Sequence, residues 1–305
     1  MIDKSFVEKC QAFIEPNRFR LDEPMKLHTT FKIGGPADCL IFPASLEETE
    51  KVLALVHEYQ LPLTILGNGS NVLVQDKGIR GVVVKFARPM AKIRHEGCRI
   101  IAGAGALLKD VSEAAAQNSL TGLEFACGIP GSIGGAIFMN AGAYDGEMKN
   151  VADVVRTVDR EGHIHTYSRD ELELGYRHSR FQDNGEAIVE VELLLKEGDA
   201  KAIRAKMDDF TERRESKQPL EMPSAGSTFK RPKGYFAGTL IQETGLKGLQ
   251  VGGAQVSTKH AGFVVNATGD ATAADVRGLI HEVQQRVYAK HGVMLHPEVR
   301  IIGEA

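Results

Sequence analysis

The stretch from Cys127 to Tyr144 constrains the fold most, because five glycines fall between Gly128 and Gly142. It reads C-G-I-P-G-S-I-G-G-A-I-F-M-N-A-G-A-Y. Glycine has no Cβ, so its backbone can take positive φ and approach a ligand or another segment closely. Successive N–H groups in such turns form a concave site for anions. This cluster alone supports two interpretations equally: a flat or phosphorylated ligand lying against the backbone, or tight packing without a ligand.

A second glycine cluster favours the ligand. Residues 63–74 read L-T-I-L-G-N-G-S-N-V-L-V, which predicts a strand, a phosphate-type loop at Gly67–Asn71, and another strand. The Gly67-x-Gly69 pair lacks the third glycine of a Rossmann fingerprint, no amphipathic helix follows it, and the chain has no Walker A sequence. Any phosphates are therefore expected to be held by loops between strands.

Composition bounds the class of protein. The chain has 305 residues, enough for two domains or for a large domain with a satellite. Its net charge of −3 gives no reason to expect a nucleic-acid partner. Four widely spaced cysteines without a C-x-x-C motif predict reduced thiols, no metal site and a cytoplasmic location. No apolar run is long enough to span a membrane, and the start M-I-D-K lacks the pattern of a signal peptide.

Periodicity predicts both helices and strands. Helical spacing of apolar residues occurs in residues 3–15, 46–59, 107–118, 200–217 and 272–291. Strands are predicted at 40–42, 63–66, 81–86, 99–103, 152–158, 163–167 and 187–196. Ser45 and Glu48 predict a capping box, and Leu107 is predicted to face inward. The extra strands disfavour a simple doubly wound sheet and leave α/β or α+β open.

Three segments in the same order resemble one family. They are the entry Thr29–Ala37 (T-T-F-K-I-G-G-P-A), the loop Gly67–Asn71 and the core Gly128–Gly135. Together they resemble the UDP-N-acetylenolpyruvoylglucosamine reductase family, which makes UDP-N-acetylmuramate for bacterial peptidoglycan, and the resemblance covers about residues 20–303.

The resemblance implies an α+β fold. It implies an FAD-binding domain of the p-cresol methylhydroxylase/vanillyl-alcohol oxidase (PCMH/VAO) type, built of two α/β subdomains, with a smaller α+β C-terminal substrate domain. We expect an N-terminal helical segment at 1–20, the FAD-binding domain at 21–198 and the substrate domain at 199–305.

It further implies non-covalent FAD, with NADPH as the hydride donor. The cofactor-binding residues would be Thr30, Ile33, Gly34, Gly67, Asn68, Gly69, Ser70, Asn71, Gly128, Pro130, Gly131, Ser132, Gly134, Gly135, Ala141 and Gly142.

Three polar residues outside the glycine clusters match the family's catalytic positions. Taken singly, Arg177 fits a solvated face, Ser227 a plain loop, and Glu298 an edge strand facing water. With the resemblance, Arg177 and Glu298, the latter in its protonated form as one option, would stabilise negative charge on the carboxylate of the enol ether. Reduced FAD would deliver hydride to the β-carbon, and Ser227 would donate a proton to the α-carbon.

The substrate, UDP-N-acetylglucosamine enolpyruvate, needs cations for its diphosphate. Candidates are Lys217, Lys230, Arg231, Lys247, Lys259 and His260, although most surface lysines are merely solvated; Lys230 or Arg231 could also assist the serine. The short span between Arg177 and Ser227 resembles the family's shorter, type II form, without a capping tyrosine. With no Rossmann motif, NADPH is expected to use the substrate's cleft in turn, and a monomer is expected.

Two other functions remain to be weighed. One is another flavin oxidase of the PCMH/VAO type, with FAD tethered through His178 or Cys127. The other is a nucleotide-sugar binding module without catalysis. The joint presence of Arg177, Ser227 and Glu298 argues against both.

Overall fold

The computed structural model describes residues 2–305, and this range contains both helices and strands. The helices are α1 (Lys4–Gln11), α2 (Leu46–Glu58), α3 (Leu108–Gln117), α4 (Ile133–Met139), α5 (Phe181–Asn184), α6 (Ala200–Lys217), α7 (Ala237–Glu243) and α8 (Ala273–His291).

The strands alternate irregularly with these helices. They are β1 (Phe19–Pro24), β2 (Pro36–Ile41), β3 (Leu63–Leu66), β4 (Val72–Val74), β5 (Ile79–Lys85), β6 (Ile93–Glu96), β7 (Arg99–Gly103), β8 (Leu120–Thr121), β9 (Gly142–Ala143), β10 (Gly146–Glu147), β11 (Ala152–Val158), β12 (Ile164–Ser168), β13 (Ala187–Leu194), β14 (Lys196–Glu197), β15 (Ser224–Ser227), β16 (Gln250–Val251), β17 (Ala254–Val256), β18 (Phe263–Asn266) and β19 (Arg300–Ile302).

The chain forms two compact units from segments distant in sequence. The first takes in the chain up to Leu21 with Cys39–Asn68 and Gly81–Arg214. The second takes in Asp22–Asp38, Gly69–Arg80 and Glu215–Ala305. This division differs from the contiguous ranges expected from the sequence, because early segments fold with the C-terminal part. One cause is the parallel pairing of β4 with β19. The functional assignment of the ranges 1–20, 21–198 and 199–305 stays a prediction.

The first unit is organised on an antiparallel five-stranded sheet of order β12-β11-β13-β7-β6. Helices α3 and α4 contact β7, and α4 also contacts β13. Val155, Val191 and Ile100 are fully buried on this sheet. Each such side chain contributes roughly 1.5–3 kcal/mol on burial, so the packed faces of this sheet are part of the unit's stabilising core. In a separate sheet of order β1-β2-β5-β3, β3 runs parallel to β5.

The predicted capping box of α2 is only half formed. The Ser45 hydroxyl accepts from the Glu48 amide at 3.1 Å, as expected. The Glu48 carboxylate accepts instead from the Ala44 amide at 2.7 Å and from the guanidinium of Arg18. The hydrogen bond from Arg18 is the main reason that the pKa of Glu48 is lowered. A cationic partner therefore outcompetes the Ser45 amide for this carboxylate.

Helix α3 begins one residue later than the periodicity indicates. Leu107 has extended backbone angles (φ −71°, ψ 140°) and is 40% exposed, so the prediction that it faces inward is wrong. Leu108, Val111 and Ala115 form the buried face. The long helices α6 and α8 match the predicted ranges closely.

The second unit combines an antiparallel four-stranded sheet, of order β15-β18-β17-β16, with α7 and α8. A capping box between Thr272 and Asp275 starts α8. The buried face of this helix carries the residues predicted from its periodicity, which are Val276, Leu279, Ile280, Val283 and Val287.

The turn between β11 and β12 in the first unit is organised by Asp159. Its carboxylate accepts from the amides of Glu161 (2.9 Å) and His163 (2.8 Å) and lies 2.8 Å from His165 Nε2. Desolvation alone would raise the pKa of Asp159, but the hydrogen bonds from His165 and His163 outweigh it and lower this pKa to about 2. The hydrogen bond between His165 and the Asp159 carboxylate is also the main cause of the raised pKa of His165.

We expect Asp159→Asn to lower the melting temperature most between pH 3.8 and 6.5. The carboxylate stabilises the fold above its unfolded pKa of 3.8 and loses that effect as pH falls towards 2. The His165 contribution is complete below 6.5 and is lost as pH rises through its raised folded pKa. A decrease of about 1–3 °C near pH 5 is expected. Calorimetry across pH would measure it.

The matched control is Asp170→Asn, an exposed aspartate at the start of a short 3-10 helix. It makes the same change in charge away from this histidine pair. A pH-independent decrease for Asp159→Asn, or an equal decrease for Asp170→Asn, would contradict the assignment.

Candidate functional site

The glycine-rich core contains a helix that the sequence did not predict. Helix α4 begins at Ile133, and the Ser132 hydroxyl caps it by accepting from the Gly135 amide at 3.4 Å. The Gly134 amide donates to the Ala104 carbonyl at 3.1 Å, and a Cβ on Gly134 would lie 2.9 Å from the Ala104 Cβ. Only glycine allows this approach of two backbones.

The two glycine clusters meet within the first unit. The Asn68 side-chain amide donates to the Pro130 carbonyl at 2.5 Å. A Cβ on Gly67 would overlap the Ser132 hydroxyl. The Gly131 carbonyl accepts from the Leu108 amide at 2.9 Å, which ties the same turn to the start of α3. The structure therefore brings together Gly67, Asn68 and the segment Pro130–Gly135.

The C-terminal end of the glycine-rich stretch closes in a small hairpin. The Ala141 amide donates to the Ala136 carbonyl at 2.8 Å, and Gly142 opens β9, which pairs with β10. At the other end, a Cβ on Gly128 would lie 2.7 Å from Arg214 Cδ.

Arg214 was missed by the sequence analysis. Its Nε is buried and has no hydrogen-bond partner within residues 2–305. Burial lowers the pKa of Arg214, and the nearby Tyr144 and Cys127 oppose that shift. A signal was present, because the buried stripe Ile203, Met207 and Phe210 of α6 continues at helical spacing to this arginine.

In the second unit, the rest of the loop meets the entry segment. The Thr30 amide donates to the Gly69 carbonyl at 3.2 Å, and the Thr30 hydroxyl donates to the Ser224 carbonyl at 2.6 Å. Ile33 is only 2% exposed in the interior of this unit, and a Cβ on its neighbour Gly34 would contact Val74.

Asn71 links the loop to the proposed acid in the second unit. Its side-chain amide donates to the Glu298 carbonyl at 3.3 Å, and its own carbonyl accepts from the Arg300 amide at 3.0 Å. The Glu298 amide donates to the Thr228 carbonyl at 2.8 Å, and Ser227 precedes Thr228 at the exposed end of β15. The predicted acid and the predicted proton donor therefore lie on adjacent segments.

Arg177 lies in the first unit, on a tight turn. The Gly175 amide donates to the His178 carbonyl at 3.1 Å, and the His178 amide donates back at 3.3 Å. Arg177 has a φ of +55°, in the left-handed region. That conformation costs a residue with a Cβ about 1–2 kcal/mol. Surrounding contacts must therefore enforce the conformation at this half-buried arginine.

The backbone of each glycine cluster fits a phosphate ligand. In the part of the chain that the structure describes, the buried amides of Gly69 in the second unit and Ser132 in the first donate to no protein acceptor. Buried N–H groups without a partner are rare in proteins. Oxygen atoms of a pyrophosphate are suitable acceptors, so both loops fit the FAD implied by the resemblance.

The six cationic candidates for the diphosphate all lie in the second unit. The Lys259 ammonium donates to the Glu215 carbonyl at 2.7 Å, and Lys247 lies 3.5 Å from the Lys259 carbonyl. Burial lowers the pKa of His260, which favours its neutral form. The Arg231 guanidinium lies 4.0 Å from the centre of the Phe236 ring. Lys217 and Lys230 are exposed.

The thiol of Cys127 points at α6, with Sγ 3.6 Å from the Met207 carbonyl. His178 lies 3.4 Å from the Asp183 carboxylate. Among residues 2–305, the structure shows no group of three or more histidine, cysteine or acidic side chains arranged for a metal. None of the helices described has the length and apolar character needed to cross a bilayer.

Family models match both parts of the chain. A model described as an FAD binding domain matches residues 37–168. A model described as the C-terminal domain of UDP-N-acetylenolpyruvoylglucosamine reductase matches residues 218–302.

Solved structures agree with this fold. The crystal structure of UDP-N-acetylenolpyruvylglucosamine reductase from Thermus caldophilus superposes with a TM-score of 0.81 at 37% identity, covering 93% of this chain and 98% of that one. An alkyldihydroxyacetonephosphate synthase covers 65% of this chain and 41% of its own, with a TM-score of 0.52 at 17% identity, and shows likeness of fold alone. The predicted α+β fold with a PCMH/VAO-type FAD-binding domain is confirmed.

Curated relatives are similar over nearly the full length. The UDP-N-acetylenolpyruvoylglucosamine reductase of Clostridium perfringens (strain SM101) is 55% identical over 298 residues, covering 98% of this chain and 97% of that protein. The enzyme of the same name from Clostridium botulinum (strain Hall) is 49% identical over 301 residues, covering 99% and 98%. This chain therefore belongs to the UDP-N-acetylenolpyruvoylglucosamine reductase family.

Proposed function

We propose that this protein is a UDP-N-acetylmuramate dehydrogenase. It reduces UDP-N-acetylglucosamine enolpyruvate to UDP-N-acetylmuramate with NADPH and non-covalent FAD, a step of peptidoglycan precursor synthesis. The observation that carries the proposal is the assembly around Asn71. This residue belongs to a loop whose backbone fits a flavin nucleotide, and it also holds Glu298 beside the segment of Ser227.

Each of the three polar residues would have a separate role in the reaction. When bound, FAD supplies hydride transfer, and the protein supplies orientation and electrostatics. Arg177 would stabilise the negative charge that builds on the substrate carboxylate, and Glu298 would add a hydrogen bond if its carboxyl is protonated. One such preorganised donor is worth about 3–4 kcal/mol in the transition state. Ser227 would donate the proton that the α-carbon receives.

The diphosphate of the substrate would be held beside Ser227. Lys230 and Arg231 lie three and four residues after Ser227 in the chain, and the Lys230 amide donates to the His296 carbonyl at 2.8 Å. Lys259 donates to the carbonyl of Glu215, and its ammonium lies 3.7 Å from the Glu221 carboxylate. Because they lie close to Ser227 in the sequence, we rank Lys230 and Arg231 above Lys259 as phosphate-binding groups, with Lys217, Lys247 and His260 as further candidates.

The other proposals concern form and location. The absence of a capping loop between Arg177 and Ser227 supports the type II form of the family. We propose a cytoplasmic location, because NADPH and nucleotide sugars are metabolites of the cytoplasm. We also propose that the protein is a monomer. The flavin oxidase alternative is not favoured, since the full-length relatives carry the reductase name.

A visible absorption spectrum tests the function directly. The purified protein should show a flavin spectrum, lose it on anaerobic addition of NADPH, and regain it when the enolpyruvyl sugar nucleotide is added. Recovery with oxygen but not with the sugar nucleotide would support an oxidase instead. A protein that takes up no FAD would contradict the cofactor assignment of both loops.

We expect Ser227→Ala to separate the two half-reactions. The variant should keep FAD and be bleached by NADPH at the normal rate, because the proton is needed only when the substrate is reduced. Reoxidation by the sugar nucleotide should slow by about 10²–10⁴-fold. Stopped-flow absorbance would measure both rates, and Ser227→Cys, which keeps an ionisable proton, should recover part of the loss. A normal reoxidation rate in Ser227→Ala would remove this serine from the mechanism.

Steady-state kinetics should be ping-pong. The chain has no Rossmann sequence for NADPH, so the nucleotide would bind and leave before the sugar nucleotide enters the same cleft. Double-reciprocal plots at several fixed NADPH concentrations should then be parallel. Intersecting lines would show that both substrates bind together and would contradict a shared cleft.

A further inference from the structure

Three side chains connect the turn of Arg177 to the C-terminal end of α4, all within the first unit. The Asn140 side-chain amide donates to the Gly175 carbonyl at 2.8 Å. The Gln182 side-chain amide donates to the Arg177 carbonyl at 3.0 Å and to the Phe138 carbonyl at 2.8 Å. The Ser179 hydroxyl also donates to the Phe138 carbonyl, at 2.8 Å.

Asn140 is placed so that its own orientation is fixed. It is fully buried and takes a left-handed conformation (φ +41°) directly after α4. Its side-chain oxygen accepts from the Lys149 amide at 2.9 Å, and its nitrogen also donates to the Glu147 carboxylate at 3.1 Å. An isosteric aspartate would lose both donors and bring a second carboxylate towards Glu147.

The contacts fall on the turn that carries the strain. Arg177 has a φ of +55°, and the carbonyls of Gly175 and Arg177, the first and third residues of the turn, each accept from one of these amide side chains. A strained backbone conformation persists only where the contacts around it hold it in place. Asn140 and Gln182 supply that constraint from the segment that follows the glycine-rich core.

We infer that Asn140 and Gln182 are positioning residues for Arg177. They hold the strained turn against the end of α4, so that the proposed catalytic arginine is fixed relative to the glycine-rich segment. This inference rests on the proposed function for its consequence in catalysis. It has a purely structural consequence as well: the Arg177–His178 peptide bond should be protected while the turn is held.

The first variant is Gln182→Met, which keeps the length of a half-buried side chain and removes the donor. We expect trypsin to cleave the Arg177–His178 bond about 3–10-fold faster in this variant, as for the loss of hydrogen bonds of ordinary strength. Mass spectrometry of the fragments would measure the cleavage at this bond. The matched control is Gln117→Met, an exposed glutamine at the end of α3 that should leave the cleavage rate unchanged.

The kinetic readout is the rate at which the sugar nucleotide reoxidises the reduced flavin. Gln182→Met should slow this step by about 10-fold or more while leaving bleaching by NADPH within about twofold, because misplacement of a catalytic group by about 1 Å can cost up to 10²-fold. In an Arg177→Ala background, Gln182→Met should slow it no further, as expected of residues acting through one another. Asn140→Asp should also slow reoxidation, with no further loss in the Arg177→Ala background. If this variant does not fold, the results for Gln182→Met are sufficient to test the positioning role.

The outcomes separate the two hypotheses. Cleavage of Gln182→Met at the wild-type rate, or an equal kinetic loss with and without Arg177, would overturn the positioning role. A wild-type reoxidation rate in Arg177→Ala would instead refute the catalytic role of Arg177. The rate of tryptic cleavage would still test whether Gln182 holds the turn.

Discussion

The first unit depends on glycine residues that lie so close to neighbouring segments that there is no room for a Cβ. A Cβ on Gly134 would lie 2.9 Å from the Ala104 Cβ, and one on Gly67 would overlap the Ser132 hydroxyl. Forcing extra atoms into such a contact costs about 1–3 kcal/mol and moves the backbone. The close packing is also what presents the buried Ser132 amide without a protein acceptor among residues 2–305. The same arrangement therefore accounts for the close packing of the glycine cluster and is compatible with the ligand proposed to bind there.

In the second unit, backbone pairing between distant segments assembles the proposed chemistry. Asn71 accepts from the Arg300 amide and donates to the Glu298 carbonyl, while the Glu298 amide pairs with Thr228. These bonds use main-chain groups on Glu298 and do not engage its carboxylate. The position of the acid is thus set by the register of β4 with β19. Glu298 lies two residues before β19, so a shift in that register would also displace the acid.

The sequence predicts the elements whose signal is local and periodic. The buried stripe of α6 (Ile203, Met207, Phe210) and the buried face of α8 follow directly from spacing. Helix α4 was not predicted from the sequence, because two glycines near its start lower its helix propensity. Tertiary contacts override that cost in the folded protein. The two-unit division escaped because it depends on pairing across more than 200 residues, as between Val72 and Arg300. The roles of Asn140 and Gln182 could not be predicted from the sequence. Both side chains donate hydrogen bonds to carbonyl groups of other segments, and the periodicity of apolar residues does not locate such contacts.

The turn of Arg177 shows why a strained arginine can be preferable to a relaxed one. A left-handed residue costs about 1–2 kcal/mol. Each of the hydrogen bonds that Asn140 and Gln182 donate to the turn contributes about 0.5–1.5 kcal/mol, so the two together offset the strain. The two bonds hold the backbone of the turn, so they fix the position of the Arg177 Cα and the direction in which its side chain leaves the turn. Charge stabilisation in a transition state requires this kind of prior alignment, since reorganising a long arginine side chain during the reaction would consume much of its electrostatic benefit.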